Sequence, residues 1–229
     1  MTRVVLFDLD GTVLTFDGAS PGPGRTALER AMVELHGVER ATEGIRVAGG
    51  TDRALARAML KRARIPDDEP SIARILSAYV AHLEAVLQAR RDRPIGDVVG
   101  AVEALRRQGA VVGAATGNLR AGARLKLGSA GLAAVFDLAL GAYGDDAEPR
   151  ADIVRLAAAR CHPPAQAATR PTTLVVVGDT RHDVEAGRAA GARVVGVATD
   201  EESRAELEAA GADAIVSECG AELVRAVLG

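Results

Sequence analysis

Residues 4–7 of the chain are uninterruptedly apolar, and the run then stops at Asp8-Leu9-Asp10-Gly11-Thr12. A short apolar run ended by acids and a glycine predicts a buried strand followed by a turn. FDGASPGPG follows, residues 16–24, and its glycines and prolines predict a flexible connection. From residue 26 to about 89 the period is helical: apolar positions recur three and four apart in TALERAMVELHG, TDRALARAMLKRA and EPSIARILSAYVAHLEAVLQA. No good strand interrupts this module. Beyond Arg93-Pro94 helical stretches alternate with short β-branched runs. AVEALRRQG precedes VVGAAT, the apolar LAAVFDLALG follows, DIVRLAAARC precedes TTLVVVGD, VEAGRAAGA precedes RVVGVAT, and ELEAAGA precedes DAIVS. Strands apolar on both faces, separated by helices, predict an α/β fold with a parallel sheet covered on both sides. The first strand then lacks a partner nearby in sequence, so the helical module reads as an insertion between it and the rest. No internal repeat or low-complexity tract is present.

Composition narrows the function. The chain has 229 residues, 48% hydrophobic, with a formal net charge of −3, which bounds it to a globular protein with a real core. So nearly neutral a chain, without single-sign blocks, points away from nucleic-acid and membrane partners and toward small-molecule chemistry. The N-terminal apolar run is too short and too acidic for a signal peptide or a spanning helix, so a cytoplasmic location is expected. Cys161 and Cys219 lie far apart with no CxxC or Cys/His spacing, which predicts two ordinary buried thiols. Lys61 and Lys126 are the only lysines among many arginines.

The acids carry the chemistry. Residues two apart on a strand point the same way, so Asp8 and Asp10 leave the strand end together. At ~4 Å and an effective dielectric of ~20 they would repel by roughly 4 kcal/mol, which calls for a counter-charge such as a metal cation. Open parallel sheets bind ligands beyond the carboxyl ends of their strands. Thr116-Gly117-Asn118 and Gly178-Asp179 end two further strands, so these groups should meet Asp8 and Asp10 in one crevice. Taken singly, each feature has a plain structural explanation. Asp-Gly after a strand is a turn, Asp179 at a helix start is an N-cap, and Gly117-Asn118 and Thr51-Asp52 are helix entries. Their conjunction at successive strand ends is what points to a site. No P-loop or dinucleotide fingerprint occurs, since the Gly22–Gly24 stretch lacks a GK[ST] ending.

In order and strand context these motifs resemble the haloacid dehalogenase superfamily, specifically its phosphatase branch with an inserted helical cap, which includes phosphoglycolate phosphatase-like enzymes. The resemblance spans nearly the whole chain. It implies a Rossmann-like core of residues 1–15 and 92–229 and a helical cap of residues 16–91. It implies Asp8 as the nucleophile toward phosphorus, Asp10 as general acid and base, Thr116 with Gly117 and Asn118 at the phosphate, and the pair Asp179 and Asp183 as the acidic motif. Phosphate-ester hydrolysis needs a nucleophile, proton transfer and charge neutralisation together. Mg²⁺ suits such an oxygen-rich set, with Asp8 and Asp179 as side-chain ligands, the Asp10 carbonyl, and Asp183 directly or through water.

The family's cation near the phosphoryl group matches loosely. Arg150 in Glu148-Pro149-Arg150 is preferred, because Arg binds phosphate bidentately, and Lys126 competes from a segment that reads as a solvated helix face. In the cap, Gly49, Gly50, Thr51 and Asp52 are candidates for a specificity loop offering backbone amides to an anion, or simply a glycine turn with an N-cap. Arg53, Arg57 and Arg62 are candidates for attracting anions. The expected activity is a Mg²⁺-dependent phosphatase for small phosphorylated metabolites. Alternatives are a sugar-phosphate mutase, a metal-free dehalogenase, a phosphonate hydrolase using Lys61 as Schiff-base lysine, and a non-catalytic binding protein.

Overall fold

The computed structural model describes residues 2–16, 21–45, 50–162 and 172–229. In chain order, strand β1 (Thr2–Phe7) leads into β2 (Leu14–Phe16), then helices α1 (Pro23–His36), α2 (Asp52–Arg62) and α3 (Glu69–Ala89). Strand β3 (Asp92–Pro94) follows, then α4 (Val98–Arg107), β4 (Ala110–Ala114), α5 (Arg120–Ser129) and α6 (Arg150–Cys161). The last part comprises β5 (Thr172–Gly178), α7 (Arg181–Ala189), β6 (Arg193–Val197), α8 (Glu201–Ala210), β7 (Ala214–Val216) and α9 (Ala221–Leu228).

Five strands form one parallel sheet in the order β4-β1-β5-β6-β7. Alternation along β1 explains its continuous apolar run. Val5 and Phe7 face one core with Val102 and Leu105 of α4 and Leu223 and Val227 of α9. Val4 and Leu6 face the other with Ile153 and Ala157 of α6 and Val184 of α7. Helices therefore cover both faces of an α/β, Rossmann-like sheet, as the pattern predicts. Helices α1, α2 and α3 enclose a third cluster, centred on Met32, Met59, Leu60, Ile72, Ile75 and Tyr79. Cys161 and Cys219 are buried free thiols. No helix among the described residues is long and apolar enough to cross a membrane.

Register brings the strand ends level. Phe7 pairs with both Ala114 of β4 and Val177 of β5. Asp8 N–H then donates to the Val177 carbonyl at 2.9 Å, and Ala115 N–H to the Phe7 carbonyl at 2.8 Å. Asp8, Thr116 and Asp179 consequently leave the sheet at one edge, where parallel strands present their ligands.

Three local expectations change. The 16–24 stretch is not wholly a connection, because α1 begins inside it, with Pro23 in the first turn where its missing N–H is harmless; residues 17–20 lie outside the described part. Leu14–Phe16 pairs antiparallel with Asp92–Pro94, Thr15 opposite Arg93, so a two-stranded ribbon joins the two ends of the helical segment. The expected boundaries at 15/16 and 91/92 fall at this ribbon. Within LAAVFDLALG the regular element is a 3-10 turn, Leu138–Leu140, whose Ala139 N–H donates to Asp137 Oδ1 at 2.9 Å.

Candidate active site

The turn after β1 places the first acids. The Leu9 carbonyl accepts N–H groups from Thr12, Val13 and Leu14 at 3.2, 2.9 and 2.9 Å. Gly11 adopts φ +81, and a Cβ there would lie 2.0 Å from Asp179 Oδ2, so glycine meets both a backbone and a packing demand. Thr12 Oγ1 donates to Asp179 Oδ1 at 3.1 Å, tying the β1 turn to the end of β5.

Carboxylate oxygens of Asp8, Asp179 and Asp183 all lie within 4.8 Å of one another. Arg150, at the start of α6, reaches between them, with Nη2 2.8 Å from Asp8 Oδ1 and 2.6 Å from Asp183 Oδ1. Its Nε also donates to Asp183 Oδ1 at 2.9 Å. The other Asp183 oxygen accepts from Thr180 N–H and O–H at 3.1 and 2.7 Å. Thr180, not Asp179, is thus the N-cap of α7, which leaves Asp179 free of the capping task a lone strand-end Asp suggests.

Burial pushes the Asp8 carboxyl up to about 6; Arg150 opposes this and the charge on Asp183 adds to it. Asp179 is raised well above the ordinary carboxylate range by burial and by the charges of Asp183 and Asp8. Burial disfavours the Arg150 charge, but Asp183 and Asp8 more than compensate and raise its pKa. Three gathered acids with one guanidinium leave a deficit of positive charge and offer only hard oxygen donors. This donor set fits Mg²⁺.

Asp10 has a different cation. Its Oδ2 accepts from Lys126 Nζ at 2.5 Å and from Asn118 Nδ2 at 2.9 Å. Lys126 also donates to Asn118 Oδ1 at 2.7 Å, and Asn118 Nδ2 to Thr116 Oγ1 at 2.9 Å. Burial alone would raise Asp10, yet the Lys126 charge and these hydrogen bonds bring it below the usual carboxylate range. The expectation of a solvated helix face for Lys126 is overturned: the residue is 4% exposed. It sits on the buried stripe of α5 with Gly122, Ala123 and Leu127, a helical spacing that could have revealed it. Arg150 and Lys126 are not rivals, since each neutralises one of the two aspartates whose repulsion the sequence poses.

The helical segment reaches this edge through its α2 entry. Asp52 N–H donates to the Gly117 carbonyl at 2.9 Å, and Asp52 Oδ2 accepts from Leu119 N–H at 2.8 Å. Gly117 must lack a side chain, because a Cβ would approach the Gly50 carbonyl to 2.2 Å. The Asp52 amide is therefore engaged with protein rather than offered to an anion, and Thr51 N-caps α2 through Ala54 N–H at 3.0 Å. Gly49 lies outside the described residues. Burial raises Asp52 to about 6, with Lys126 and the Leu119 N–H pulling the other way.

Arg53, Arg57 and Arg62 are committed elsewhere. Arg57 Nη2 lies 3.0 Å from Glu148 Oε2, Arg53 pairs with Glu69 and Glu148, and Arg62 with Glu43. The Glu148 pairs latch α2 onto the loop before α6. Lys61 is exposed and 3.5 Å from Asp67, which places the lone cap lysine away from the crevice. A cleft of about 460 Å³ remains, lined by Asp8, Asp10, Thr116, Asn118, Arg150 and Asp179 from the sheet edge and by Gly50 and Asp52 from the helical segment.

A parallel α/β sheet whose carboxyl edge gathers two sequential aspartates, an acidic pair and two buried cations is the framework of an enzyme site. The model of the haloacid dehalogenase-like hydrolase family matches residues 2–191, and the chain belongs to that family. No curated protein matches the chain. Solved structures share the fold at low identity. A hydrolase from Pseudomonas syringae is 20% identical over 95% of this chain and 94% of its own, with TM-score 0.68. CbbY from Rhodobacter sphaeroides, solved with phosphate, is 21% identical over 94% and 93%, with TM-score 0.69. A putative beta-phosphoglucomutase from Thermotoga maritima is 23% identical over 100% and 98%, with TM-score 0.60.

Proposed function

We propose that this hydrolase cleaves phosphate monoesters of small metabolites through an aspartyl-phosphate on Asp8, with Mg²⁺ as cofactor. The observation that carries the reading is the position of Asp8, buried at the end of β1 within a few ångströms of Arg150, Asp179 and Asp183. Bound at Asp8, Asp179 and the Asp10 carbonyl, with Asp183 directly or through water, Mg²⁺ would neutralise the acids and the phosphate.

In the first half-reaction an Asp8 carboxylate oxygen bonds to phosphorus as the bond from phosphorus to the alcohol oxygen breaks. The departing alkoxide takes a proton from the Asp10–Lys126 pair, with Asp10 as the contact group. In the second half water attacks phosphorus, its proton returns to that pair, and the bond to Asp8 breaks, regenerating the carboxylate. Thr116, Gly117 and Asn118 border the phosphoryl position, and Arg150 serves as its cation. Arg150 also holds Asp8 in place. The helical segment of residues 16–91 acts as a cap whose closure excludes bulk water. A lidded cleft of this size favours compact esters over phosphoproteins or nucleic-acid ends, and the near-neutral chain suits small solutes of the cytoplasm.

Phosphate release across a panel of small esters, with Mg²⁺ and with EDTA, tests the reading. Turnover should need Mg²⁺ and vanish in Asp8→Asn while circular dichroism is unchanged. Full activity in EDTA or in Asp8→Asn would overturn it, and an isomerised sugar phosphate without phosphate release would identify a mutase instead.

A further inference from the structure

Past Asp10 and Asp52 the cleft opens into a second cavity of about 270 Å³, and the two spaces share Asp10, Gly11, Phe16, Gly22 and Asp52 in their walls. Leu14, Leu28 and Leu55 give this cavity an apolar side. Its polar side is acidic: Asp10, Asp52 and Asp92 face it, with Lys126 and Arg25. Lys126 is committed to Asp10 and Asn118. Arg25 is turned to Thr42, its Nη2 2.7 Å from the Thr42 carbonyl, and lies 3.9 Å from Glu29. Asp52 and Asp92 thus form no ion pair among the described residues and share with Asp10 the charge of the single Lys126.

Asp92 supplies the second observation. It is 6% exposed, and its Oδ2 has no hydrogen-bond partner. The fully buried Tyr79 hydroxyl faces Asp52, and a Cβ added to Gly24, in the cavity wall, would lie 3.7 Å from that hydroxyl and 3.3 Å from Lys126 Nζ. A buried, unpaired carboxylate oxygen is costly unless something donates to it, and a carboxylate ligand would place like charges together.

We propose that this cavity receives the alcohol half of the phosphate ester and selects an alcohol bearing a primary ammonium over one bearing a carboxylate. The proposal rests on the phosphoryl-transfer reading of the adjoining cleft. The ammonium lies against the Asp92 carboxylate and is offset in charge by Asp92 and Asp52, while the alkyl chain lies along Leu14, Leu28 and Leu55. Asp92 is then a specificity residue, and it reaches the reaction only through the leaving group.

Calorimetric binding to the Asp8→Asn protein decides this, using matched ω-amino, ω-hydroxy and ω-carboxyalkyl phosphates of two to five carbons. The best ω-amino ester should bind at least about tenfold tighter than the ω-hydroxy ester of equal length, with the ω-carboxy ester weakest. Adding Asp92→Asn, with folding checked by circular dichroism, should bring the amino-to-hydroxy ratio close to one. Equal or tighter binding of the carboxy or hydroxy series overturns the proposal. So does an amino preference that survives Asp92→Asn, or no ester binding better than inorganic phosphate. Absence of phosphate release by the wild-type enzyme, even from acetyl phosphate, would instead overturn the phosphatase reading, and the binding ranking would still decide the pocket.

Discussion

Replacing Arg150 by methionine removes the one cation among the described residues that lies between Asp8 and Asp183, while keeping an unbranched side chain. The guanidinium is 11% exposed, and its carboxylate partners, at 2.8 and 2.6 Å, are 9% and 2% exposed. At 2.8 Å and an effective dielectric of ~20, one such contact attracts by about 6 kcal/mol, and the burial of both charges offsets much of it. Removing one partner of a buried pair strands the other, at a cost of about 3–5 kcal/mol. For a chain of this length 1 kcal/mol corresponds to about 2–4 °C in Tm. Arg150→Met should therefore lower Tm in EDTA by about 6–20 °C. Mg²⁺ should raise the variant's Tm more than the wild type's, because three acids without a guanidinium make a stronger cation site. Differential scanning fluorimetry with and without Mg²⁺ measures both effects. Adding Asp183→Asn, which removes one stranded charge, should recover part of the loss. A fall of less than 2 °C in EDTA, or identical Mg²⁺ increments for both proteins, would refute this account of the site.

Two further predictions concern pH. Lys126 holds Asp10 ionised and carries the proton of the pair, so Lys126→Met should raise the Asp10 pKa, leave Asp10 as the lone proton donor, and move the alkaline limb of kcat/KM to lower pH. At 2.5 Å and a water-like dielectric of ~80, suited to a side chain half open to the cleft, the interaction is about 1.7 kcal/mol, or about one unit of the Asp10 pKa; an unmoved alkaline limb in a phosphate-release profile would count against it. Burial raises Asp92 to about 6 from 3.8, so the folded state carries a cost of about 3 kcal/mol above pH 6 that fades as pH falls from 6 toward 3.8 and is gone only below both values, where folded and unfolded states are both protonated. Asp92→Asn should accordingly stabilise the protein against urea at pH 7.5 and much less at pH 4, and an equal gain at both values would contradict the assignment.

What the sequence by itself determined was local periodicity and the order of the strand ends. Unbroken apolar runs mark a sheet covered on both faces, because alternate residues of β1 must fill two different cores. Helical spacing marks α1, α2 and α3 as a separate module, because their apolar stripes close on one another. The level strand ends follow from parallel register, so Asp8, Thr116 and Asp179 were legible as neighbours. Partnership was not. Whether Arg150 or Lys126 meets Asp8 depends on where α5 and α6 dock, and Lys126 finds Asp10 across 116 positions of sequence. Asp52 reads as part of a helix entry, and only docking shows it spending its amide on Gly117 and its carboxylate on Leu119. Asp92 carries no motif at all. Its importance comes from a carboxylate oxygen left unpaired after packing, a consequence of three-dimensional enclosure that no one-dimensional pattern encodes.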